Sequence, residues 1–206
     1  FLYLSIKRIL YLYSPAKRIV CFIRLYFYNS IFKFCSISVI YLRNFVIFTS
    51  KPNPEIGEIT AAVPGGGLQP VNAIMAPWHD VLLATPFGTG NGSVFISKTG
   101  IAPNRRFIAT WCAAAMFSCT DSINTFQIVL HEDTDKIETF IDTKRSCSWN
   151  SGAAVHGLVD ATSTNSDIVM DPVLLQPRNF PLLWTAANEG WEFLPNGPTS
   201  YTINQI

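Results

Sequence analysis

The chain has 206 residues, 49% of them hydrophobic, and a formal net charge of +1 at pH 7, a length that suits one domain with an appendage. The near-neutral total hides an asymmetry. Residues 1–51 hold eight of the 15 basic residues and no acidic one, so residues 52–206 carry seven basic against 14 acidic residues, a net −7 that disfavours nucleic acid as a partner.

In chain order, the first fifty residues use a restricted alphabet with no Gly, Gln, His, Met or Trp and with Ala16 as the one alanine. Arg24, Lys33 and Arg43 interrupt the apolar runs at gaps of eight and nine residues. A membrane-spanning helix needs about 20 largely apolar residues, so none is expected here. The small-residue cleavage site of a secretory signal is also missing. A basic segment lying on a membrane surface is one reading. An AT-rich stretch translated out of frame or upstream of the true gene fits the alphabet better, and residues 1–50 are read as a basic apolar segment open to either origin, native or mistranslated. Pro52, Pro54, Pro64 and Gly65-Gly66-Gly67 then mark residues 51–72 as a linker or loop.

Residues 73–206 read as a β module. Residues 73–81 carry Pro77-Trp78-His79-Asp80, and Gly88, Gly90 and Gly92 form a turn before a strand at 93–98. Pro103-Asn104 turns the chain into a strand in which Phe107, Ala109 and Trp111 alternate with Ile108 and Thr110. Phe126, Ile128 and Leu130 alternate with Gln127, Val129 and His131, and a polar break at 132–136 leads into the β-branched run 137–142. Asp side chains bond their own backbone in turns, so 124–131 and 136–142 form an antiparallel hairpin with a tight loop. A short strand near 155–159, a polar loop at 160–167, a Pro-punctuated stretch to Pro181 and strands around Trp191 and Tyr201 complete the chain. Short strands spaced by Gly/Pro turns predict an all-β, antiparallel β-sandwich.

Cys119 precedes the first hairpin strand and Cys147 follows the second, so both fall near one end of the hairpin. A disulfide there closes a loop of roughly 30 residues and contributes about 3–4 kcal/mol through the unfolded chain. The alternative is two buried thiols in a reducing cytosol. Cys112 shares a strand face with Ile108 and Thr110 and is expected to be unpaired.

Several separated motifs carry a resemblance. APWHD at 76–80, RRFIATW at 105–111, MFSCT at 116–120 and NTFQIVLHEDTDKIETFI at 124–141 resemble a module of Bacteroidota surface proteins. Such proteins also carry PKD or Ig-like repeats and a gliding-motility-associated sorting domain. SCSWNSGAAVHGL at 146–158, PRN at 177–179 and NEGWEFLPNG at 188–197 continue the likeness, which covers about residues 70–204. The order of these motifs is also distantly similar to the nidogen-like extracellular domain. The resemblance implies further strands ahead of Pro-Trp-His-Asp, so a sandwich incomplete at its N-terminal side, with an exposed edge, is expected.

The candidate sites are few. Asp80, beside His79, could contribute to a calcium site, but the following Val81, Leu82 and Leu83 supply no oxygen donors, and the pair reads better as a strand-end cap. Glu132, Asp133 and Asp135, and likewise Asp160, Asn165, Asp167 and Asp171, are acidic groups expected to be solvated; neither has EF-hand spacing. No Gly-x-Ser-x-Gly or His-Glu-x-x-His motif accompanies His79, His131 or His156, so catalysis is not expected. Of Trp78, Trp111, Trp149, Trp184 and Trp191, most are expected in the core; Trp149 and Trp184 are the candidates for stacking a sugar. The expected role is a non-catalytic structural or adhesive module of a secreted or cell-surface bacterial multidomain protein. Neighbouring domains are its partners, with glycans or other surface proteins beyond them. It needs no cofactor unless calcium binds, and a carbohydrate- or calcium-binding module is the alternative.

Overall fold

The computed structural model describes residues 10–14, 17–21, 41–42, 45–46, 62–65, 73–82, 92–160, 162–197 and 200–206. Most of segment 1–50 and of linker 51–72, together with Gly88 and Gly90 of the expected turn, therefore lie outside the described residues. Within the N-terminal segment, β1 (Leu10–Ser14) and β2 (Lys17–Cys21) form a two-stranded antiparallel ribbon.

The rest is a two-sheet sandwich. The larger sheet runs β14 (Tyr201–Gln205), β13 (Ala186–Pro195), β10 (Ile137–Lys144), β9 (Cys119–His131), β8 (Arg106–Met116). Its last position is shared by β7 (Ser93–Thr99), which pairs the first part of β8, and β6 (Val81–Leu82), which pairs the end. The smaller sheet is centred on β11 (Val155–Val159), between β12 (Ser166–Ile168) and β5 (Ala73–Trp78). Beyond β5 lie β4 (Phe45–Val46), joined to it by one parallel bridge, and β3 (Tyr41–Leu42). Among the described residues there is no α-helix; one 3₁₀ turn occupies Trp149–Gly152.

Period-2 patterning explains which faces meet. Phe107, Ala109 and Trp111 pair with Leu130, Ile128 and Phe126, and Ile137, Thr139 and Ile141 continue the same rows onto β10. Ile74, Ala76 and Leu158 of the smaller sheet meet them in one core that also takes in Trp184, Trp191 and Phe193. Trp111 stacks on Phe126 at 4.9 Å between ring centroids. The other face of the smaller sheet is buried too. Ala73, Met75, Val155 and Val159 pack under Val63 and Ala153, with Phe180 against them. Burial on both faces is why residues 155–159 read as a continuous run without alternation.

Three boundaries differ from the alternating runs of the sequence. β8 runs beyond the alternating residues 107–111 to Met116, past a bulge where Ala113 adopts φ 53° and its N–H donates to the Thr125 hydroxyl at 3.0 Å. β9 starts at Cys119 rather than near residue 124, and the polar loop at 160–167 ends inside a strand, β12.

Candidate functional site

The hairpin staple forms as its flanking strands predict. Cys119 and Cys147 are joined by a disulfide with Cα atoms 5.9 Å apart, and Cys112 is a free, exposed thiol. Beside the staple, the fully buried Asn124 holds three strands together. Its amide donates to the carbonyls of Ala114 and Ser122, and its oxygen accepts the Arg145 N–H at 2.7 Å.

The tryptophan candidates separate. Trp184 is 1% exposed, with His156 stacked on it at 6.0 Å and the Arg178 guanidinium 4.3 Å from its centroid. Its indole N–H donates to the Ala154 carbonyl at 2.9 Å. This overturns the sugar-stacking expectation for Trp184: both the ring and its polar tip are occupied inside the core. Trp149 is half-buried next to the staple, edge-on to the exposed Phe117 at 5.0 Å. Its indole nitrogen is buried and has no hydrogen-bond partner among the described residues.

Around Trp184 sits a polar hub that the sequence reading did not find. Arg178, 1% exposed, donates from Nε to Asp171 at 2.9 Å and from both terminal nitrogens to Glu189 at 2.5 and 2.8 Å. Glu189 also accepts the Trp191 indole N–H at 3.0 Å. Burial works to raise the Asp171 pKa, but the Leu174 N–H, the Arg178 guanidinium and the Val173 N–H outweigh it and hold the carboxyl below its usual range. Lys144, also 1% exposed, donates to the Trp184 carbonyl at 2.6 Å and lies 4.6 Å from the Trp184 centroid. Burial, helped by the charge of Arg178, brings its pKa down to about 7. The available signal was an isolated arginine in an otherwise apolar, proline-rich stretch; its carboxylate partners lie 7 and 11 residues away in sequence.

Two of the three histidines, His79 and His156, are buried in the core. His156 Nε2 lies 2.8 Å from the Thr139 hydroxyl, a base–hydroxyl distance suited to proton transfer, but both residues are 0% exposed and no substrate reaches them. His79 is 7% exposed and lines a cleft of about 20 Å³ with Ile74, Trp78, Trp111, Phe126 and Ile128, room for a water molecule and not for a sugar. Neither His79 ring nitrogen has a partner in full hydrogen-bond geometry among the described residues, and the Asp80 backbone acts on the ring as a weaker polar neighbour. Burial, then the charge of Lys144, lowers its pKa to about 3, and the Asp80 backbone offsets this only in part. His131 instead pairs with Glu138 at 2.7 Å on the sheet surface.

The carboxylates of Glu132, Asp160 and Asp171 are engaged by protein donors. Asp80 contributes its carbonyl to the Phe117 N–H at 3.1 Å. Glu132 pairs with Arg105 rather than standing solvated. Asp160 accepts the backbone N–H groups of Thr162 and Thr164 and the Asn165 amide, and Asp171 is the ion-paired residue of the hub. Among the described residues, no three His, Cys, Asp or Glu side chains come together as a metal site.

Sandwich, staple and sealed polar hub together define an all-β module whose buried polar groups hold the sheets together. The chain belongs to the NIDO-related family, whose model matches residues 45–177, from β4 to the proline preceding Arg178. Membership is consistent with an extracellular structural or adhesive module, in line with the nidogen-like resemblance. No curated protein and no solved structure matches the chain.

Proposed function

We propose that this chain is a non-catalytic structural or adhesive module of a secreted or surface-attached bacterial protein, of the multidomain type found in Bacteroidota with gliding-motility-associated sorting. The observation that carries the reading is the Cys119–Cys147 disulfide inside a NIDO-related sandwich, because such bridges persist in oxidising compartments. Its partners are neighbouring domains of the parent protein, and residues 73–206 are the working module, with 51–72 as the connection to what precedes it. Maleimide labelling of the native protein before and after reduction tests the setting. Of Cys112, Cys119 and Cys147, followed by peptide mapping, Cys112 is expected to label quickly, and Cys119 and Cys147 only after reductant. Rapid labelling of all three without reductant would overturn the exported location.

The carbohydrate-binding alternative now rests on Trp149 beside the exposed Phe117. Glycan-array binding lost in Trp149→Ala would support it. The calcium alternative rests on Asp80, and a thermal midpoint raised by calcium and unchanged in Asp80→Asn would remove that residue from it.

A further inference from the structure

Residues 51–72 read as a linker, yet one of them is built into the body of the module. Val63 is 2% exposed, while Ala62, Pro64 and Gly65 around it are exposed. Its side chain joins Met75, Ala153 and Val155 on the outer face of the smaller sheet, with Phe180 packed against the cluster. Side chains hold its backbone. The Val63 N–H donates to Asn179 Oδ1 at 2.9 Å, the Asn179 amide donates back to the Val63 carbonyl, and the Ser166 hydroxyl donates to the same carbonyl at 3.4 Å. These partners lie 116 and 103 residues away in sequence.

The contact has the form of a ligand in a receptor. A carboxamide presents an acceptor and a donor side by side, so Asn179 engages Val63 as a paired strand residue would. The receiving side is fixed without the strap. Asn179 Oδ1 also accepts the Phe180 N–H at 2.9 Å, the Asn179 N–H donates to the Pro177 carbonyl at 2.7 Å, and the Asn179 carbonyl accepts the Leu182 N–H at 2.8 Å. The preceding residue is Arg178, anchored by Asp171 and Glu189. The strap itself is slight, with Val63 as its one buried side chain. It turns so tightly that a Cβ on Gly65 would meet the Ala62 carbonyl oxygen at 2.6 Å, which calls for glycine after the proline. Gly66 and Gly67, which follow, have no side chain to hold it down.

We propose that the outer face of the smaller sheet is a peptide-docking socket for an uncharged turn in which a branched aliphatic residue precedes Pro-Gly, and that residues 62–65 are its tethered, displaceable ligand. The pocket selects the aliphatic side chain, Asn179 and Ser166 read the backbone, and the turn selects glycine. A segment of the same chemistry on a neighbouring protein chain takes the socket by displacing the strap. The tether keeps the strap at an effective concentration on the order of millimolar, so occupation by the chain's own residues is the resting state. The socket is a property of the fold and holds whether or not the chain is exported.

The test is titration of the nitrogen-15-labelled full 206-residue chain with a capped peptide of residues 61–66, AAVPGG, followed by NMR. In Val63→Ser, whose own strap is weakened, the peptide is expected to shift the amide signals of Ser166, Asn179 and Phe180 saturably. The unaltered chain is expected to need roughly tenfold more peptide for the same shift, because the tethered strap competes. Adding Asn179→Ala to Val63→Ser is expected to remove the binding, and the peptide AASPGG is expected to give no shift. Should Val63→Ser fail to fold, amide exchange in the unaltered chain decides. The Val63 N–H is then expected to exchange roughly tenfold faster than the amides of β11, since the strap opens locally. No saturable shift in the folded Val63→Ser chain, equal binding of AASPGG, binding undiminished by Asn179→Ala, or Val63 exchange as slow as that of β11 would each overturn the proposal.

Discussion

A guanidinium leaves water at a tolerable free energy only when opposite charge and hydrogen bonds replace its hydration, and Arg178 receives both from Asp171 and Glu189. Removing the cation is therefore worse than losing the pair, because two carboxylates remain with nothing to neutralise them. Arg178→Met is expected to lower unfolding free energy by about 3–5 kcal/mol, read from urea melts. Arg105→Met supplies the control. Its partner Glu132 is also close by, but both side chains keep 16% exposure at the sheet's end, and water can resolvate the survivor. That variant is expected to lose no more than about 1 kcal/mol. Equal losses in the two would show that burial is not what makes the hub matter. Neither the hub nor the fate of Trp184 was legible residue by residue. A tryptophan next to two leucines and a proline reads the same whether its ring faces a sugar or an arginine.

Strands with strict alternation were legible, because a face pattern such as Phe126, Ile128, Leu130 has one buried solution, and the β9–β10 hairpin and its staple follow from it. Elements whose shape depends on tertiary contacts were not. The extension of β8 needs the Ala113 bulge, which is sustained by the Thr125 hydroxyl on the next strand, and β12 is three polar and apolar residues that only β11 organises. Gly157 shows why β11 accepts β12 at all: a Cβ there would meet the Asp167 carbonyl oxygen at 2.3 Å and the Ile168 Cα at 2.9 Å, both backbone atoms. Gly157→Ala is expected to prise β12 from the sheet and lose about 1–3 kcal/mol, with faster amide exchange at residues 166–168 as the local sign. The staple acts on the opposite side of the ledger, through the unfolded chain. With a sequence separation of 28 residues, Cys119→Ala with Cys147→Ala is expected to lose about 3–4 kcal/mol while leaving the folded-state exchange pattern of β9 and β10 largely intact. A variant that instead loses protection throughout that hairpin would show that the bridge shapes the native strands themselves.

At the scale of the whole molecule, the core between the sheets holds three bases with little or no countercharge: His79 near the end of β5, His156 on β11 and Lys144 on β10. Burial is the leading cause of the lowered pKa in each, to about 3 for both histidines and about 7 for the lysine, and Lys144 or Arg178 adds repulsion. The sign follows from linkage. Above pH 6.5 the histidines are neutral folded or unfolded; between pH 6.5 and about 3 the unfolded chain binds protons that the folded core excludes, so stability falls on acidification. Lys144 acts likewise between its unfolded value of 10.5 and about 7, where stability is expected to rise with pH. Each group contributes a slope of up to about 1.4 kcal/mol per pH unit inside its window. Asp171, with its lowered carboxyl pKa, adds to the acid loss. The thermal midpoint is therefore expected to climb from acid pH into the alkaline range, rather than to peak near pH 6. His79→Leu should flatten the acid limb, because burial is the largest cause of that ring's lowered pKa, and Lys144→Met should flatten the limb above pH 7. Since Thr139 and His156 bridge the two sheets, the acid transition should appear as one cooperative loss of both sheets. A midpoint that falls between pH 7 and 9, or an acid limb unchanged in His79→Leu, would mean that water reaches these bases and that the sandwich core is not sealed around them.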